Sequence, residues 1–194
     1  MSDVAAIVLA AGRGTRFGSE PKLLAPLSDK PLVRHVAEAA VASSAQPVVA
    51  VTGHRAEEVE AALSDLSVRL VRNAAFAEGL STSLRAGFSA LPSHARAAII
   101  LLGDMPLVSA ALIDTLVSAW REQGEPAALV PTLDGRRGNP VVLSLVLEDT
   151  IQGLSGDAGA GPLLRGRADV LEWPVEDPAI LQDVDTAEEL GRLR

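Results

Sequence analysis

The sequence predicts an α/β protein of three layers, in which helices cover both faces of a mostly parallel sheet. Two observations carry that expectation. Short apolar runs recur through the first two thirds of the chain, and segments of helical period lie between them. Runs rich in β-branched residues and free of polar alternation suit strands buried on both faces. Strand, helix and strand in repeated succession require crossover connections and therefore parallel neighbours.

Strands are expected at residues 4–9, 47–51, 68–71, 97–102 and 127–130, all treated as buried on both faces. The Ala-rich segment 32–41 follows Pro31, a residue suited to a helix start because its missing N–H would be unpaired there. Three further stripes have helical spacing: Val59, Ala62, Leu63 and Leu66; Leu80, Leu84, Phe88 and Leu91; and Leu112, Ile113, Leu116, Val117 and Trp120. Beyond Pro131 the pattern loosens. Residues 132–142 read as a hairpin or loop excursion, 153–161 as a Gly-rich loop, 170–173 as a last strand and 186–193 as a closing helix.

Composition narrows the partners. The 194 residues, 48% hydrophobic and 22% charged, suit a single domain spanning 1–194. With 17 basic and 25 acidic side chains the net charge is −8, which disfavours nucleic acid and anionic membranes. Any phosphate must be held locally. The absence of Cys removes thiolate nucleophiles and Cys-based zinc sites. The N-terminus has no cationic start, and its apolar stretch stops at Gly12, far short of the roughly 20 residues that span a bilayer. A cytoplasmic protein with small-molecule substrates is expected.

In an open α/β sheet, ligands sit beyond the carboxyl ends of the strands. The loop after the first strand runs from Leu9, Ala10 and Ala11 through Gly12, Arg13, Gly14, Arg16, Gly18 and Ser19 to Lys22. Small residues leave backbone N–H groups free to surround a phosphate, and Arg13, Arg16 and Lys22 supply cations. The loop is neither of two familiar phosphate loops. Its glycines are spaced one residue too long for a dinucleotide fingerprint, and Lys22 lies between Pro21 and Leu23 rather than before Ser or Thr. A solvated surface turn is the plain alternative.

Asp104 follows the apolar run 97–102, where a carboxylate can hold Mg²⁺ or, alternatively, cap the helix that begins near Ser109. Asp183 and Asp185 would share a side of an extended segment, but Asp185 or Thr186 can equally cap the last helix. Capping is the simpler role for Asp185, which leaves Asp183 as the expected second metal ligand. Gly79 and Ser81 open a helix whose N–H groups and hydroxyl could bind a base or phosphate, though ordinary capping explains Ser81 nearly as well. His35, His54 and His94 lack a common spacing and read as structural or solvated.

Taken together, these segments resemble the MobA-like nucleotidyltransferases. The first loop is similar to that group's signature at Leu9-Ala10-Ala11-Gly12, Gly14, Arg16-Phe17-Gly18 and Lys22. Within the group the chain looks most like the molybdenum cofactor cytidylyltransferases, through Asn73 with Gly79 to Leu84, Gly103-Asp104-Met105-Pro106, Arg137-Gly138-Asn139-Pro140-Val141, Gly156-Asp157-Ala158-Gly159-Ala160 and Asp183-Val184-Asp185-Thr186. It departs from the family pattern at Gly14, Phe17, Met105 and Gly161.

The resemblance implies a Rossmann-like nucleotide-diphospho-sugar transferase fold, with residues 1–106 as a nucleotide-binding half and 107–194 as an acceptor-binding half. It implies a Mg²⁺-dependent enzyme that transfers CMP from CTP to the phosphate of molybdopterin cofactor and releases pyrophosphate. A GTP-dependent guanylyltransferase and a non-catalytic cofactor carrier are the alternatives, and a molybdoenzyme or its accessory protein is a possible recipient. Arg16, Lys22 and Asp104 would be catalytic. Leu9, Ala10, Ala11, Gly12, Arg13, Gly14, Lys22, Gly79, Ser81 and Asp104 would bind nucleotide, Arg137, Asn139 and Asp157 the acceptor, and Asp104 with Asp183 the metal.

Overall fold

A computed structural model describes residues 2–18, 20–157 and 159–193; Ser19 of the first loop and Ala158 of the Gly-Asp-Ala-Gly-Ala segment lie outside them. In chain order the elements are β1 (Val4–Ala10), β2 (Pro26–Leu27), β3 (Lys30–Pro31), α1 (Leu32–Ala42), β4 (Val48–Thr52), α2 (Ala56–Ala62), β5 (Val68–Arg72), α3 (Leu80–Ser89), β6 (Ala97–Leu102), α4 (Ala110–Glu122), β7 (Ala128–Leu133), β8 (Arg136–Arg137), β9 (Val141–Ser144), α5 (Glu148–Gln152), α6 (Ala160–Leu163), β10 (Val170–Pro174) and α7 (Ala187–Arg192).

The main sheet has the order β10-β7-β9-β6-β1-β4-β5, with β8 paired to β7. β1 is parallel to both β4 and β6, and β5 and β10 are parallel to their neighbours. β1 explains why the sequence begins as a continuous apolar run. Its side chains alternate between faces, so Val4, Ala6, Val8 and Ala10 join one buried cluster with Val33, Val36, Leu116 and Trp120, while Ile7 and Leu9 join another with Leu84 and Phe88. Both faces are core, so no polar alternation survives. Gly87 lets α3 lie close to the sheet, because a Cβ there would come 2.7 Å from Ile7 Cγ2.

Strand register places two loops side by side. Leu9 lies opposite Val51 on one side and Leu102 on the other, so the chain leaves β1 and β6 at the same level of the sheet. The Gly103 N–H donates to the Leu9 carbonyl at 3.0 Å, which ties the two departing segments together.

Three expectations are corrected. β5 is an edge strand, with Arg69, Leu70 and Arg72 exposed, because β4 alone pairs with it and its charged residues find solvent. α2 ends at Ala62, so Leu66 contributes from the following loop and not from a helical stripe. Residues 132–142 are more than an excursion. After the β7–β8 hairpin a cis Asn139-Pro140 bond leads into β9, which inserts antiparallel between β6 and β7. Among the described residues, no helix is long and apolar enough to cross a membrane.

Candidate active site

Lys22 is the centre of the arrangement. Pro21 leads into a 3₁₀ turn at Lys22–Leu24 that turns the lysine inward, leaving it only 8% exposed. Its Nζ donates to Asp104 Oδ2 at 2.6 Å and to Asp185 Oδ1 at 3.0 Å. Asp185 Oδ2 in turn pairs with Arg16 Nη1 at 2.5 Å. Burial is the largest single influence on the Lys22 ammonium and opposes its charge. The charges and hydrogen bonds of Asp104 and Asp185 together outweigh it, and its pKa lies above the ordinary lysine value.

Each partner is fixed from the backbone. Gly14 has φ +58°, and a Cβ there would come 2.7 Å from Lys22 Cβ, so glycine both permits the turn and makes room for the lysine stem. Asp104 follows β6, and its carbonyl accepts from Val184 N–H at 2.9 Å, docking the segment before α7 against the loop after β6. Ser109, not Asp104, caps α4, through Oγ accepting from Leu112 N–H at 3.1 Å. Thr186 caps α7 in a capping box with Glu189, whose Oε2 accepts from the N–H groups of Asp185 and Thr186 at 2.8 and 2.9 Å.

That capping arrangement corrects one expectation. With Thr186 as the cap, the Asp185 carboxylate is free to face Lys22, whereas Asp183 is exposed and makes no ion pair or hydrogen bond among the described residues. Asp104 Oδ1 is buried and has no hydrogen-bond partner among the described residues. An unpartnered carboxylate oxygen beside a second carboxylate is a hard oxygen donor set of the kind that suits a small divalent cation.

A cleft of about 460 Å³ opens over this cluster, lined on its charged side by Gly12, Arg13, Gly14, Lys22 and Asp104. Leu9, Ala11, Thr15, Leu23 and Leu102 also line it, together with Phe76, Ala77, Gly79, Leu80, Ser83 and Asp157. The Arg13 guanidinium lies 5.6 Å from the centre of the Phe76 ring. Asn73 orders the loop that carries Phe76: its Nδ2 donates to Thr82 Oγ1 at 2.8 Å and Ser83 Oγ at 3.0 Å, and its Oδ1 accepts from Ala75 N–H.

A second pocket of about 300 Å³ shares Leu9, Leu80 and Leu102 with the first. Leu84, Ile100, Val130, Val141 and Leu164 make it apolar, and Arg137 and Asn139 stand at it. The Arg137 guanidinium pairs with Glu172 at 2.7 Å. Gly138 packs so tightly on Ile180 that a Cβ would come 2.4 Å from its carbonyl oxygen, while the Asn139 N–H donates to that carbonyl at 2.9 Å.

The structure gathers Leu9, Ala11, Gly12, Arg13, Gly14, Lys22, Gly79 and Asp104 around one cleft, with Arg16 reaching the cluster through Asp185. It does not bring Ala10 or Ser81 there. Ala10 points into the α1 side of the core, and Ser81 is wholly buried, its N–H donating to the Gly156 carbonyl at 3.2 Å. Ser83, one turn beyond Gly79 and on the same helix face, lines the cleft in its place. Asp157 lines this first cleft and not the second pocket, because the 156–157 loop packs on Gly79. Phe76 and Leu23 carry no signal in the sequence beyond lying in loops that follow strands.

The fold and cleft define a Rossmann-like α/β protein with a charged site beyond the carboxyl ends of its parallel strands. Residues 6–171 match the MobA-like NTP transferase domain, and the chain belongs to that family of nucleotidyltransferases. It is 33% identical over 201 residues to nicotine blue oxidoreductase from Paenarthrobacter nicotinovorans, an alignment covering 98% of this chain and 96% of that one. It is 39% identical over 140 residues to the bifunctional protein GlmU of Anaeromyxobacter dehalogenans (strain 2CP-C), covering 70% of this chain but only 29% of that protein. Among solved structures, Rv0371c from Mycobacterium tuberculosis H37Rv superposes with a TM-score of 0.85 at 27% identity, over 98% of this chain and 96% of that chain. Rv0371c is also described in complex with manganese, at a TM-score of 0.82 and 26% identity over 99% and 98% of the two chains. A nucleotidyl transferase from Methanothermobacter thermautotroptrophicus (Mth528) gives 0.83 at 28% identity over 98% and 95%.

Proposed function

We propose that the protein transfers CMP from CTP to the terminal phosphate of molybdopterin cofactor and releases pyrophosphate, with Mg²⁺ held by Asp104 and Asp185. The observation that carries the reaction class is the buried Lys22 ammonium held between two carboxylates beneath a glycine loop. The choice of acceptor and of CTP is supported by the Arg-Gly-Asn-Pro and Gly-Asp-Ala-Gly-Ala segments, and by a second pocket adjoining the cleft.

In the reaction an oxygen of the acceptor phosphate forms a bond to the α-phosphorus of the donor, and the bond from that phosphorus to the bridging oxygen of the pyrophosphate breaks. The attacking oxygen is already anionic, so no general base is needed. The work of the site is to bring two anions together and neutralise the charge that shifts to the leaving group. The amides of Gly12 to Gly14, with Arg13 and Arg16, would hold the β- and γ-phosphates. Lys22 would neutralise the α-phosphate. Leu9, Leu23 and Leu102, which also line the cleft, would lower the local polarity and so strengthen these interactions. Ala11, Gly79 and Ser83 would face the base and ribose, and Arg137 and Asn139 the acceptor, with Asp157 on the rim of the donor cleft. A divalent cation bound at Asp104 and Asp185 would supply Lewis-acid neutralisation of donor phosphate oxygens.

The test is incubation with Mg²⁺, molybdopterin cofactor and each NTP separately, with pyrophosphate measured. Release with CTP is expected. Release with GTP alone would move the assignment to a guanylyltransferase, and none with any NTP would favour a carrier or another acceptor. Because one full-length relative is named an oxidoreductase, a parallel arm follows NADH and NADPH absorbance with the same acceptor and no NTP. Oxidation there, with no pyrophosphate elsewhere, would overturn nucleotidyl transfer.

A further inference from the structure

The carboxylates that would receive a divalent cation are already neutralised by the protein's own side chains. Lys22 Nζ bridges Asp104 Oδ2 and Asp185 Oδ1, and Arg16 takes Asp185 Oδ2. Asp104 Oδ1, of these oxygens, lacks a partner among the described residues. Two negative and two positive side chains thus close on one another with no net charge.

We propose that Lys22 and Arg16 serve as internal counter-cations, filling the divalent-cation position in the nucleotide-free protein and releasing it only when a nucleotide's phosphates offer them new partners. Cation and nucleotide then bind as a unit. The inference rests on the nucleotidyl-transfer reading of the same site.

The argument is one of charge. A divalent cation arriving alone would lie beside an ammonium and a guanidinium that already satisfy the carboxylates, and like charges at such separations repel. Displacing Lys22 without giving it an anion would strand a charged group that is 8% exposed, and a buried unpaired charge is costly. A triphosphate removes both obstacles, because it accepts the two displaced cations and brings oxygens of its own. Lys22 stands where such an exchange would occur. The Lys22 stem runs along the glycine loop, its Cδ and Cε both 3.6 Å from where a Gly14 Cβ would stand, and the residue already lines the cleft. Arg16 has a side chain 77% exposed, so leaving Asp185 strands no buried charge.

The experiment measures Mn²⁺ binding to the whole chain by the electron paramagnetic resonance of free Mn²⁺, without acceptor and without turnover. Wild-type protein is expected to bind Mn²⁺ weakly alone. A non-hydrolysable CTP analogue should bind at least about tenfold more tightly with Mn²⁺ than without it, the reciprocal face of the same coupling. Lys22→Met should bind Mn²⁺ without nucleotide at least about tenfold more tightly than wild type, and Arg16→Ala about threefold more tightly. Lys22→Met that is folded by circular dichroism yet binds Mn²⁺ no tighter than wild type would overturn the proposal. Should Lys22→Met not fold, Arg16→Ala decides, and unchanged Mn²⁺ affinity there overturns it equally. Neither reading depends on product, so coupled Mn²⁺ binding without pyrophosphate release would count against the proposed reaction alone.

Discussion

The two pockets share Leu9, Leu80 and Leu102 and differ in almost everything else. The first takes its charged groups from loops: Arg13 and Lys22 after β1, Asp104 after β6 and Asp157 ahead of α6, with Asp185 reaching Lys22 from ahead of α7. Its Lys22 and Asp104 are held by side-chain ion pairs. The second is built by the sheet, α3 and α6, and its lining is aliphatic except at Arg137 and Asn139. Arg137 is already engaged by Glu172. The contrast teaches a division of labour. The first pocket presents fixed charges, which the proposed phosphate chemistry requires, and the second presents shape and apolar surface, by which the proposed acceptor would be told from other small molecules.

The largest expected effect belongs to the apolar side. Leu84 is buried and belongs to both the core and the second pocket, so Leu84→Ala should cost about 2–5 kcal/mol of stability in urea unfolding. An unchanged midpoint would mean that this pocket is not continuous with the core. On the charged side, Lys22→Ala and Asp104→Asn should each lower turnover at least about tenfold, about 1.4 kcal/mol of transition-state stabilisation, while both proteins remain folded. Full activity in either would remove the phosphate side of the comparison.

Thr186→Ala should cost about 1 kcal/mol by loss of the helix cap. Because that cap aims Asp185, KM for nucleotide should rise as well, and a stability loss with unchanged kinetics would separate α7 from the site.

A smaller effect depends on pH. The N–H groups of Asp185 and Thr186 hold the Glu189 carboxyl below its ordinary value of 4.5. A lowered folded pKa means that its contribution is complete above about pH 4.5 and is lost as pH falls through the lower folded value. The stability gap between wild type and Glu189→Gln should therefore be constant from about pH 6 to 8 and shrink as pH falls below about 4.5. A gap that widens in acid would reverse the assignment. The smallest effect is expected at Gly161, where a Cβ meets nothing within 4 Å. Gly161→Arg should alter stability by less than about 0.5 kcal/mol while changing acceptor affinity, and a large loss of stability would show the second pocket to be closed there.

Much of the fold and site is legible in the residues, for physical reasons that also explain the rest. β1, β4 and β6 are buried on both faces, so their apolar runs stand out, and the loops after them can be located by counting. Lys22, Asp104 and the Gly12–Gly14 turn are found in that way. β9 is hidden because its approach through Gly138, Asn139 and Pro140 has the composition of a turn, and its place between β6 and β7 depends on pairing with strands distant in sequence. Ser81 draws attention ahead of Ser83 because the choice depends on the rotation of α3, which Gly79 sets by packing on a loop more than seventy residues later. Asp185 and Asp183 have the same chemistry. Only the docking of α7, through Val184 on Asp104, decides which of them meets Lys22.

Where Gly79 meets the 156–157 loop, backbone packs on backbone. A Cβ at Gly79 would come within 2.3 Å of the Gly156 carbonyl, and the Ser81 N–H donates to that same carbonyl. Peptide groups and the required glycine therefore meet at this joint, and the Leu80 side chain lies beside it against Gly159. Phe76, Ala77 and Asp157 line the cleft on either side of it, and the backbone contacts themselves do not use their side chains. For descent with modification this separates what must be inherited from what can drift: the rim stays closed while its lining changes, and a lineage can explore new small molecules without first surrendering its fold.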